Sequence, residues 1–201
     1  MNHLTFGMSM DRGFFGEFFF FDRPEFRPNL SPREMFLEGS FGGTYWKPIF
    51  SSVTGENLAC QHLEFAEWWG GIPDENLVSE KYAKKRNRYG VRSGTDLAMW
   101  ESKGWIREQD PYGWVQWYCR FFSGRRSPDD DRQIKRWLAF AGPKGRFRNQ
   151  LINKVISKDS QHDDEEISPV IRQSLHHWAY RLTIEDFEAG SIERWKKHVI
   201  G

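Results

Sequence analysis

Apolar side chains fall at Trp114, Trp117, Tyr118 and Phe121, the i, i+3, i+4, i+7 spacing of one helical face, and Val115 and Phe122 widen the stripe until little polar surface is left. The pattern predicts a central helix opened by Asp110-Pro111 and closed by Gly124. A second stripe, Ile134, Trp137, Leu138 and Ala141, follows Ser127-Pro128, with Asp129, Asp130 and Asp131 in the first turn, where the helix dipole favours negative charge. Arg132, Lys135 and Arg136 lie off that stripe, and Lys135 stands four residues after Asp131, the spacing of an ion pair. Beyond Gly142-Pro143-Lys144-Gly145, residues Phe147, Leu151, Ile152, Val155 and Ile156 mark another inward face. Ser168-Pro169 opens the last long helix expected, with Ile171, Leu175, Trp178 and Leu182 as its stripe. Thr95 can cap a short helix carrying Leu97 and Trp100 and ending at Gly104.

The front of the chain reads differently. Ser31-Pro32-Arg33-Glu34 has the residues of a capping box and starts a helix that Gly39 ends. Before it, Phe14 to Phe21 is interrupted by Gly16 and Glu17, consistent with an extended segment, or one strand, lying across the core. Residues 40–58 carry turn chemistry at both ends and read as a loop with room for a short strand. Lys158 to Glu166 has the composition of a mobile loop. The expected fold is mainly α: one domain over residues 1–201, of five to seven helices, with an irregular Phe/Gly-rich part over 1–58 and a helical part over 59–201.

Composition changes the picture in two ways. Ten Trp and seventeen Phe point to an aromatic rather than aliphatic core. Charge is segregated: residues 81–154 hold 18 Lys/Arg against 7 Asp/Glu and the rest holds 11 against 21, so a net charge of +1 is +11 in the middle and −10 outside it. A basic stretch with aromatic residues suggests a polyanion-binding surface, nucleic acid first. Cys60 and Cys119 make no disulfide framework, which favours an intracellular location, cytoplasmic or nuclear. No basic region precedes an apolar run, so neither a signal peptide nor a membrane association is expected.

The candidate chemistry follows the charge. Lys84, Lys85, Arg86 and Arg88 cluster near Tyr82 and Tyr89, Arg125 and Arg126 follow the central helix, and Lys144, Arg146 and Arg148 surround a glycine-bounded helix start that exposes backbone N–H groups to an anion. These nine residues are the expected contacts to DNA or RNA, through phosphate rather than base edges. The Gly142–Arg146 turn departs from a helix-hairpin-helix and from a Walker loop, and an ordinary helix–helix turn accounts for it as well. The alternative is an enzyme or binding protein for a small phosphorylated or carboxylated ligand, held by Arg, Trp and His, with His176 or His177 as the candidate general base. The two histidines flank the stripe of their helix rather than lie on it. Cys60-Gln61-His62 offers two ligands without a partner pair, so neither a metal nor a cofactor is expected. A third reading is an adaptor whose basic face meets an acidic protein, including another copy of itself through the acidic ends, and the charge pattern leaves the oligomeric state open.

Asp110-Pro111-Tyr112-Gly113-Trp114-Val115-Gln116-Trp117-Tyr118, Gly124-Arg125-Arg126, Asp130 to Trp137 and Ser168 to Gln173 with Trp178 resemble the pattern of a group of microbial hypothetical proteins. The resemblance spans about Tyr89 to Trp178; it implies one intact domain and carries no activity.

Overall fold

The computed structural model describes residues 12–200. It is mainly helical: α1 (Pro32–Glu38), a hairpin of β1 (Ile49–Ser51) and β2 (Glu56–Leu58), then α2 (Leu97–Ser102), α3 (Trp114–Phe122), α4 (Asp130–Phe140), α5 (Arg146–Ser157), α6 (Pro169–His176) and α7 (Ile184–Ile200). The strands pair antiparallel, Ile49 opposite Leu58 and Ser51 opposite Glu56. Residues 59–96 contain only short 3₁₀ turns, among them Gln61–Trp68 and Lys84–Arg86.

α3 is the core element, with seven of its nine residues buried. Its first turn has no local side-chain cap, because Gly113 precedes it. The hydroxyl of Tyr45 caps it from a distance, accepting the N–H groups of Val115 at 3.0 Å and Gln116 at 3.1 Å while donating to the Tyr112 carbonyl. Asp110 does not open this helix as the sequence pattern predicts; its buried carboxylate binds Arg120 and Arg125 instead. Phe26, fully buried, lies within 6.2 Å, centroid to centroid, of Trp114, Trp117, Tyr118, Phe121 and Trp137, so the extended N-terminal segment is built into the core.

Three further expectations shift. The capping box of α1 is present, with Ser31 and Glu34 bonded reciprocally, but α2 is capped by Asp96 rather than Thr95, whose hydroxyl takes the Trp100 indole N–H. Asp131 reaches Arg23 rather than Lys135, and Asp129 holds Arg132. The last expected helix breaks in two: α6 stops at His176, Ala179 adopts φ 55°, and α7 begins after Thr183, whose hydroxyl accepts the Asp186 N–H. α5 packs against α4, α6 and α7. Among the described residues no helix is long and apolar enough to cross a membrane.

Candidate functional site

The nine basic residues singled out from the sequence do not form one group. Arg88 is bonded to Glu165, Arg125 to Asp110 at 2.7 Å, Arg126 to Asp22 at 2.6 Å and the buried Arg148 to Asp186. Lys84, Lys85 and Arg86 share one 3₁₀ turn and, with Lys144, meet no carboxylate among the described residues. Arg146 opens α5 with its guanidinium 5.0 Å from the Phe147 ring centroid, and it faces a cavity.

That cavity, about 660 Å³, lies between α4, α5, α6 and the segment before α2. Its walls are mainly aromatic, and a ladder of near-parallel rings forms one of them. Trp178 stacks on Trp114 at 4.6 Å and on Phe140 at 4.9 Å, and Phe140 stacks on Phe147 at 4.0 Å. The stacked rings cover one another's faces and give the cavity an apolar wall. Two buried indoles anchor the backbone behind the ladder: Trp114 Nε1 donates to the His177 carbonyl and Trp137 Nε1 to the Trp178 carbonyl.

Arg136 reaches the same space from α4. Its guanidinium carbon lies 5.3 Å from the ring centroids of both Trp105 and Trp178, and among the described residues its one side-chain hydrogen bond is to Gln133 Oε1 at 2.9 Å. Burial, helped by the neighbouring Arg132 cation, pushes its pKa down to about 10, so it is still charged at neutral pH. Arg132 is itself spent on Asp129 and on the Trp105 carbonyl, which fixes Trp105 over Arg136. Of Arg125, Arg126, Arg132 and Arg136, only Arg136 lines the cavity, where it is joined by Arg146. Among the described residues no aspartate or glutamate lines it.

The candidate bases lie elsewhere from where the sequence pattern puts them: both His176 and His177 are buried rather than off the core face. The pKa of His176 is pushed down to about 4 by burial, and its Nε2 is bonded to the Met35 carbonyl, away from the cavity. His177 does line the cavity, stacked on Phe41 at 4.0 Å, but burial holds its pKa well below the usual imidazole range, so it stays neutral where a general base has to take up a proton. A buried amide sets its tautomer. Gln173 Oε1 accepts the Tyr89 N–H, so Gln173 Nε2 is the donor, to the Gly39 carbonyl and to His177 Nε2; the Phe41 N–H also donates to that nitrogen. Nε2 is therefore the unprotonated atom and the proton sits on Nδ1.

Sequence reasoning missed Gln173 and Phe41. Gln173 lies off the apolar stripe of its helix, so spacing gave no signal of its burial. Among the described residues no three metal-ligating side chains converge. No protein-family model, curated protein or solved structure matches the chain.

Proposed function

We propose that this protein binds a small anionic ligand with a flat, apolar body, taken between the tryptophans and arginines of the cavity. The observation that carries the reading is a wall with two guanidinium groups and, among the described residues, no carboxylate, in a chain where Arg120, Arg125, Arg132 and Arg148 each meet an acid. A half-buried cation is costly to hold without a counter-charge, and Arg136 has none among the described residues. Arg also gives planar, two-point binding to carboxylate or phosphate. Two cations match a ligand of one or two negative charges, whereas a triphosphate would stay under-neutralised. The neutral His177 supports binding rather than histidine-driven chemistry.

Isothermal titration with 2-naphthoate and with its neutral analogue 2-naphthamide tests the reading. Naphthoate is expected to bind at least tenfold tighter, and Arg136→Met, which keeps the bulk and removes the charge, is expected to erase that difference. Equal affinity for the two compounds, or no binding of naphthoate at low ionic strength, overturns it.

A nucleic-acid reading draws on a separate observation: Lys84, Lys85 and Lys144 are exposed and meet no carboxylate among the described residues. Phosphate contacts through them would make affinity fall steeply with salt. Labelled DNA and RNA titrated at two salt concentrations decide it, and the absence of binding at low salt removes it.

A further inference from the structure

The cation of Arg136 is not the only polar group offered to this cavity. His177 is only 4% exposed, its Nε2 is occupied by the Phe41 and Gln173 N–H groups, and its Nδ1–H has no acceptor among the described residues. Nδ1 lies 4.0 Å from the position a Cβ would occupy on Gly94, a glycine that lines the same cavity, so the ring presents this edge to the open side of the Gly94 segment. Nδ1 is not sealed in the core, so this donor is open to a group that enters the cavity. None of the neighbouring hydroxyls bonds Nδ1. Ser174 Oγ donates to the Val170 carbonyl at 2.8 Å, which leaves Ser93 Oγ to donate to Ser174 at 2.6 Å, and Thr95 Oγ1 accepts the Trp100 indole N–H.

We infer that the ligand carries, besides the anionic group taken by Arg136 and Arg146, a neutral hydrogen-bond acceptor that receives the Nδ1–H of His177, making it a planar aromatic acid bearing a carbonyl. The inference rests on the anionic-ligand reading. Because Gln173 and Phe41 fix the tautomer, His177 can only donate on this edge. It discriminates among flat acids by whether they bring an acceptor, in the way that a site built around a hydrogen bond rejects analogues lacking the partner. Gly94 is part of the device: it has no side chain to fill the space in front of Nδ1, and its φ of 83° is one that other residues rarely adopt.

The test compares 2-naphthoate, which has no acceptor apart from its carboxylate, with chromone-2-carboxylate and chromone-3-carboxylate, flat acids of similar size that carry a ring carbonyl in two different positions. At least one chromone is expected to bind about tenfold tighter than naphthoate to the full chain, and His177→Phe is expected to bring the three acids to within about twofold of one another. A nitrogen-15 NMR spectrum of the histidines supplies a readout that needs no variant: His177 is expected as the Nδ1–H tautomer at neutral pH, with that proton shifting when the tighter chromone binds. If all three acids bind wild type equally, or if the proton is found on Nε2, the inference is overturned while the anionic-ligand reading stands. If no acid binds at low ionic strength, both fall.

Discussion

His176 and His177 are adjacent, yet one ring meets the Met35 carbonyl inside the core and the other faces an open cavity. What they share is burial, and that gives stability a pH dependence. Both are neutral when folded and take up a proton near pH 6.5 when unfolded, so the unfolded state binds more protons as the solution is acidified. The stability they contribute is present above about pH 6.5 and is lost as pH falls towards the folded value of about 4 for His176. Each can remove up to about 1.4 kcal/mol per pH unit. Urea unfolding is expected to show a loss of roughly 3 kcal/mol between pH 7 and pH 5, and a flat response over that interval would contradict the burial of these rings. Asp22, which the Arg126 hydrogen bonds hold below the ordinary carboxylate range, adds its loss only at lower pH. The same scale shows why the site was hard to read: nothing in the sequence separates Arg136, which meets no carboxylate among the described residues, from Arg125, which is taken up by Asp110.

At the scale of elements, the helices whose ends are set by neighbouring residues were legible. Ser31 and Glu34 cap α1 from within four residues, and the stripes of α3, α4 and α5 follow from periodicity. The ends set by distant groups were not. Tyr45 lies some seventy residues from the α3 turn it caps, and no local rule finds it. α7 was legible in principle, since Thr183-Ile184-Glu185-Asp186 is a capping sequence and Thr183 does cap it, but the apolar spacing runs on through Trp178 to Leu182 and masks the break at Ala179. Gly39 shows how tightly α1 is docked: a Cβ there would stand 2.1 Å from the Arg86 carbonyl oxygen, at a φ of 112°. Gly39→Ala is expected to destabilise the protein by more than about 2 kcal/mol and to lower the melting temperature by at least roughly 4 °C. A thermal melt followed by circular dichroism checks this, and an unchanged melting temperature contradicts the docking.

Over the whole molecule, the segregated charges find one another. Asp22, Glu38, Glu64, Glu165 and Asp186, all outside the basic middle, meet Arg126, Arg88, Arg120, Arg88 and Arg148 within it. Four of the eighteen basic residues of the middle are thereby answered by acids from outside it. The N-terminal segment is held just as firmly through Phe26, whose ring meets both α3 and Trp137 of α4. Phe26→Ala is expected to cost about 3–5 kcal/mol while unfolding remains a single transition by fluorescence and by circular dichroism. A loss below about 1 kcal/mol would mean that this segment lies outside the cooperative unit.

The sequence by itself determined that the chain is mainly helical, that its core is aromatic and where most helical stripes run, because periodicity and local capping act over a few residues. It also determined that charge is unevenly distributed along the chain. Only the tertiary structure decided which arginines are neutralised and which remain, because an ion pair such as Asp22 with Arg126 joins residues about a hundred positions apart. The tertiary structure alone also made His177 a fixed neutral donor, since its tautomer depends on Gln173, and the orientation of Gln173 depends on the Tyr89 backbone. Pairing and burial are properties of positions in space, and spacing along the chain does not encode them.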